Sequence, residues 1–160
     1  MALLLLTSVS GTRAEDPSIT PAPYDWSQLD HVIGTRGELK DDVYTLTLPR
    51  GDLNVAVDGM DVPAAAGIAS VFHFFRCPCG RIRVVGQFVC AEWESNDVID
   101  AIRQGDMIAV ASMSPMFVAA KPQVMVLRFQ GEGDGPALAQ LLKAGLGWIG
   151  PARSATQPIK

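Results

Sequence analysis

Residues 43–63 constrain the fold more than any other stretch of this chain. Val43-Tyr44-Thr45-Leu46-Thr47-Leu48 alternates in polarity and is rich in β-branched and aromatic residues, the pattern of a half-buried strand. Pro49-Arg50-Gly51-Asp52 interrupts it, and Leu53-Asn54-Val55-Ala56-Val57-Asp58 begins a second strand before Gly59. A chain organised this way builds sheet from short antiparallel strands joined by tight turns. Arg50-Gly51-Asp52 also spells an integrin-type tripeptide, but between two strands it reads as a turn or a structural ion pair.

The same punctuation continues along the chain. Asp25 is placed to cap a short helix carrying Trp26, Leu29, Val32 and Ile33 on one face, stopped by Gly34. Strands are predicted near 42–48, 53–58, 67–76 and 81–91. A helix capped by Ser95 or Asn96 follows, with Val98, Ile99 and Ile102 inward and Gly105 at its end. Strands near 107–113 and 123–130 come next, then a final helix opened by Asp134-Gly135-Pro136 with Leu138, Leu141 and Leu142 on one face. This order predicts an α+β fold, a mainly antiparallel sheet of about six strands with helices packed on one face. The 15 glycines and 11 prolines suit strands and turns better than a bundle.

With 160 residues the chain holds one domain, and a net charge of −4 with interspersed signs offers no basic stripe for a phosphate backbone. Nucleic-acid binding is therefore disfavoured. Leu3–Leu6 followed by small residues to Ala14 reads as a signal peptide over 1–14, too short to span a bilayer. Its basic n-region is missing, which leaves the true translation start open. After cleavage no integral membrane span is expected, and the mature protein is expected to be exported, periplasmic or secreted. Residues 15–24 read as a Pro-rich linker, 25–152 as the domain and 153–160 as a tail.

The pieces Asp25-Trp26, Gly34/Gly37, Val43-Tyr44, Pro49-Arg50-x-Asp52-Leu53-x-Val55, Gly59, Val62-Pro63, Gly131-x-Gly133-Asp134 and Ile149-Gly150-Pro151-Ala152 follow a distinctive order. In that order and spacing the chain resembles the LppY/LpqO-type family of exported proteins over roughly residues 25–152. No cysteine follows the leucines, so the lipid anchor of some relatives is not supported. The family has no settled activity. Its members usually carry Gly-Asp where this chain has Gly86-Gln87, a His-Asn-His run where it has Ser114, Pro115 and Met116, and a further His at Arg128. Such histidines with nearby acids would suit a Zn²⁺-type site with a position left for water.

This chain has only His31 and His73, and neither occupies a family position. If the helix after strand 81–91 is a crossover between parallel strands, the ends of strands 81–91 and 107–113 lie at one sheet edge and Glu92 and Glu94 sit near residues 114–116. The resemblance thus implies a degenerate site. Its expected lining is Glu92, Glu94, Ser114, Met116 and Arg128, with Arg128 salt-bridged to Glu92 or Glu94 in place of a metal.

The leading expectation is an exported, non-catalytic binding or interaction domain without a cofactor, taking an unknown small ligand or protein. The alternatives are a soft-metal protein holding Cu(I) or Zn through Cys77, Cys79, Met113 and Met116, and a residual metal-dependent hydrolase. Against the soft site, methionines commonly fill cores, and Cys77 and Cys79 sit at a hairpin tip roughly 30 Å from the other end of strand 81–91. Cys77 and Cys79 could bridge each other, bind a soft metal or pair between molecules, whereas Cys90 reads as a buried apolar residue. Ser112 and Ser114 have no histidine base beside them in sequence, so a serine nucleophile is not supported. Gly131-x-Gly133-x-Gly135 lacks the lysine of a phosphate loop, and Asp134 reads as an N-cap.

Overall fold

The computed structural model describes residues 23–151. The expected leader, the linker up to residue 22 and the tail lie outside the described residues. In chain order the elements are α1 (Ser27–Ile33), β1 (Glu38–Lys40), β2 (Val43–Pro49), β3 (Val55–Val57), β4 (Met60–Val62), β5 (Ala69–Arg76) and β6 (Ile82–Ala91). After a 3₁₀ turn over Glu92–Glu94 come α2 (Ser95–Ile102), β7 (Ile108–Pro115), β8 (Ala120–Lys121), β9 (Val124–Gly133) and α3 (Gly135–Leu146).

The fold is α+β. A six-stranded antiparallel sheet runs in the order β1-β2-β5-β6-β9-β7, and a three-stranded sheet runs β4-β3-β8. Alternation along each long strand explains the layering. Leu46, Phe72, Phe74, Val84, Phe88, Leu127 and Phe129 turn to the inner face, where α1, α2 and α3 cover them with Leu29, Ile33, Val98, Ile102, Leu138 and Leu142. Phe72, Phe88 and Phe129 meet there with ring centroids 4.9 to 5.6 Å apart. A second, smaller core of Val55, Ile68, Val89, Ala120, Val124 and Val126 seats the three-stranded sheet on the outer face, at one end only.

One expectation is corrected. Residues 53–58 do not join the main sheet; their strand, β3, pairs with β4 and β8, and the sixth place is taken by β1 at the edge. Strands β6 and β7 are parallel to each other, as expected of a crossover, and β9 is inserted between them, antiparallel to both. The crossover through α2 therefore spans two strand positions. The ends of β6 and β7 still meet at one end of the sheet, where Glu92 N–H donates to Gln123 O (3.0 Å) and Met116 N–H to Val124 O (2.8 Å).

The element boundaries follow local chemistry. Asp25 accepts from Ser27 N (3.1 Å), Gly34 closes α1 at φ 87°, and Asp134 caps α3 by accepting from Ala137 N (3.1 Å). Gly37 lies against the Tyr44 ring, with 2.6 Å left for a Cβ, and its N–H donates to Asp30 (3.1 Å) and to the Tyr44 hydroxyl (2.9 Å). Burial and the adjoining Asp30 carboxylate raise the Tyr44 hydroxyl's pKa. No helix among the described residues is long and apolar enough to cross a membrane.

Candidate functional site

Away from the small sheet, no element among the described residues covers the outer face of the main sheet. Directly opposed residues of antiparallel strands share a face, so the register places side chains in rows about 4.8 Å apart from strand to strand. The central row is Thr47–Val71–Gln87–Arg128–Ser112. The next is Thr45–His73–Val85–Gln130–Ala109. These rows floor a depression of about 470 Å³ lined by Val71, His73, Gln87, Arg128 and Gln130 among others. That volume is within the usual range for small-molecule sites.

The electrostatics of the floor are simple. Arg128 is exposed, and among the described residues it makes no ion pair or hydrogen bond. Its cross-strand neighbours are the neutral Gln87 and Ser112. Neither row carries a carboxylate. The nearest acid on β9, Glu132, lies beyond Gln130 and is engaged by Arg83 (2.6 Å) and Arg81 (3.0 Å), with Arg83 first in holding its carboxyl below the ordinary range. On the second row Thr45 Oγ1 and His73 Nδ1 lie 3.0 Å apart, so one ring nitrogen is held and the other is left for a ligand.

Of the expected site residues, Arg128 and Ser114 share this outer face, Ser114 standing opposite Val126. Met116 is half-buried against the smaller core. Glu92 is exposed at the sheet end, and Glu94 is buried elsewhere. The expected Arg128–glutamate salt bridge is not formed, because Glu94 belongs to Arg50. Arg50 Nη1 and Nη2 donate to the two Glu94 oxygens (3.0 and 3.2 Å), and Nη1 also reaches Val89 O (2.6 Å). Nε and Nη2 take both Asp52 oxygens at 2.8 Å. Glu94 further accepts from Ala91 N (2.8 Å) and Gly150 N (2.7 Å).

Burial opposes the Arg50 charge, but Asp52 and Glu94 outweigh it and leave the guanidinium above its ordinary pKa; in return Arg50 lowers that of Asp52. Gly150, at φ 57°, leaves 2.6 Å between its would-be Cβ and Asp52 Oδ2. Pro49-Arg50-x-Asp52 and Ile149-Gly150 thus meet in one structural knot tying the turn after β2 to the ends of β6 and α3.

The soft-metal set is not assembled. Cys77 and Cys79 form a disulfide in the β5–β6 turn, Cα–Cα 5.1 Å, at the end of β6 remote from Met116. Met113 stands opposite Leu127, on the inner face, whereas Met116 packs on the outer side. Met113 was expected to fill the core; on the edge strand β7 it is 46% exposed. Cys90 is free and fully buried, as its sequence setting implied, and burial pushes its thiol pKa up.

The register also bears on the metal site that the LppY/LpqO-type resemblance would imply. Positions 87, 114 and 128 do converge on the outer face, but here they hold Gln87, Ser114 and the cationic Arg128. That donor set does not fit a hard divalent cation. Among the described residues no group of three or more His, Cys, Asp or Glu is placed to hold a metal ion. Sequence reasoning missed His73 and Gln87 as floor residues. The strict alternation of Phe72, His73 and Phe74 was the available signal for His73.

The profile of one protein family, described as a Domain of Unknown Function (DUF1259), matches residues 27–147, which contain every residue of the depression. No curated protein and no solved structure matches the chain.

Proposed function

This chain belongs to the DUF1259 family, and on that premise we propose that it is an exported, non-catalytic binding domain for a small anionic ligand. We read it as a divergent member of LppY/LpqO type. The ligand's carboxylate, phosphate or sulfate group pairs with Arg128 on the outer sheet face, with Gln87 and Ser112 supplying neutral hydrogen bonds. The observation that carries this reading is an exposed guanidinium that has no counter-ion among the described residues, flanked by neutral side chains on the floor of a depression. A cation replaces the histidine of relatives, which turns the preference of the face from metal to anion. Gln87, where relatives carry an acid, removes the charge that would compete for Arg128.

Calorimetric titration with a panel of small carboxylates, phosphates and sulfates, matched by neutral analogues, tests the proposal. Binding is expected for anionic members only, weakened by about tenfold or more in Arg128→Gln, since a charge-assisted hydrogen bond contributes about 1.5–3 kcal/mol. Absence of binding by every anion, or equal binding by Arg128→Gln, would overturn it. Export rests on Leu3–Leu6 and the small residues before Glu15. Secreted protein beginning at Glu15 would support it, and retention with Met1 intact would refute it.

A further inference from the structure

The bridge at the β5–β6 hairpin is placed where it adds little to the fold. The turn is already closed by Cys77 N–H donating to Arg81 O (2.9 Å) and Gly80 N–H to Cys77 O (2.9 Å), and Gly80 takes its φ of 85° without strain. The stabilisation a cross-link gives by restricting the unfolded chain shrinks with loop length, and here a single residue, Pro78, separates the cysteines. Other features of the turn suit chemistry instead. Cys79 is exposed while Cys77 is buried, so one sulfur is open to attack and the other is sheltered. The sheltered sulfur accepts the Cys79 N–H at 2.9 Å, a contact that stabilises a thiolate leaving from Cys77.

We propose that Cys77 and Cys79 are a thiol–disulfide exchange site whose reaction partner is a dithiol, such as a pair of protein cysteines. One thiolate of the partner attacks Cys79 Sγ. The Cys77–Cys79 bond breaks and its electron pair leaves on Cys77, which is held by the Cys79 N–H and then protonated by solvent. The partner's second thiol gives its proton to solvent and attacks the partner's own sulfur in the mixed disulfide, releasing Cys79 as a thiolate that takes up a proton. The partner is oxidised to a disulfide, and the chain gains two electrons and two protons at Cys77 and Cys79. The site is independent of Arg128 and of any ligand on the sheet face.

The test equilibrates the full oxidised chain in glutathione buffers of stepped thiol-to-disulfide ratio. Acid quenching, alkylation and peptide mapping separate Cys77 and Cys79 from Cys90, and circular dichroism is followed in parallel. The bridge is expected to open and reclose reversibly within that range with the dichroism unchanged. A reduced dithiol peptide should be oxidised in equal amount, about tenfold faster or more than with the Cys77→Ser/Cys79→Ser double variant. Glutathione adducts should form on Cys79 in Cys77→Ser about tenfold faster than on Cys77 in Cys79→Ser, because access controls the attack. A bridge that stays closed at every ratio, or opens only as the fold is lost, would overturn the proposal. Equal adduct rates in the two single variants would overturn the assigned order of attack. If the double variant does not fold, the titration of the wild-type chain decides.

Discussion

Replacing Glu94 removes the centre of the knot that orients one end of the sheet. Both carboxylate oxygens face only donors: Oε1 receives Arg50 Nη2 and Gly150 N, and Oε2 receives Arg50 Nη1 and Ala91 N. Glu94→Ala leaves the buried Arg50 with Asp52 and Val89 O and strands two backbone N–H groups. Arg50 keeps Asp52 as its counter-ion, so the expected loss of about 3–5 kcal/mol comes chiefly from the halved partnering of a buried guanidinium and from the two N–H groups left unsatisfied, at about 1–3 kcal/mol each. For a domain of this size that corresponds to roughly 6–20 °C in Tm. Glu94→Gln is expected to be no mild substitute, since either orientation of the amide sets its NH₂ group against two donors. The double variant Arg50→Met/Glu94→Leu is expected to recover only part of the loss: it removes the buried cation, but leaves Asp52 without its partner and the Ala91 and Gly150 N–H groups unsatisfied. Urea denaturation of the four proteins, at constant m-value, reads the comparison directly. A loss below about 1 kcal/mol for Glu94→Ala, within the range of an exposed ion pair, would refute the account of the knot.

Two further outcomes follow from neighbouring contacts. Asp52 has its pKa lowered chiefly by Arg50, so its contribution to stability is complete above its unfolded value near 3.8 and is lost as pH falls through the lower folded value. Acid titration of stability should therefore lose part of its downward limb in Asp52→Asn, and an unchanged limb would contradict the assignment. Gly86 faces the aromatic cluster, where an added Cβ would strike Val71 O and come within 3.1 Å of Phe72 Cα and Phe129 Cζ. Gly86→Ala is expected to cost about 1–3 kcal/mol by overpacking, since backbone cannot give way, and an unshifted urea midpoint would rule this out.

How much was legible in the sequence depended on whether the determining contacts were local. Val71–Phe75, Ile82–Ala91 and Val124–Gln130 were readable as strands because alternation or β-branching is written residue by residue, whereas the continuation of the last through Gly131–Gly133 was not. Gly34 and Asp134 were readable as helix boundaries for the same reason. The insertion of β9 between β6 and β7 has no local signature, since it rests on pairings such as Gln87 with Arg128, far apart in sequence. The strands β1, β4 and β8 span two or three residues, too few to show a period.

The partner of Glu94 was misassigned for a related reason. Arg50-Gly51-Asp52 was read as a turn or a structural ion pair, and the second carboxylate of Arg50 lies 44 residues away. Arg128 entered the expected lining through the resemblance, and the sheet register then supplied its neighbours. The motif pieces around Gly37, Tyr44, Arg50, Asp52 and Gly150 prove to be structural contacts. The open outer face is what remains for function.

The most direct test of that assignment is a backbone amide NMR titration of the described domain with the tightest-binding anion of the panel. The account predicts saturable shifts concentrated at Val71, Gln87, Ser112 and Arg128, with the Arg50–Glu94–Gly150 knot unmoved and the response abolished in Arg128→Gln. Saturable shifts centred on the knot, on the Cys77–Cys79 turn or on the small sheet, with the outer face silent, would contradict it.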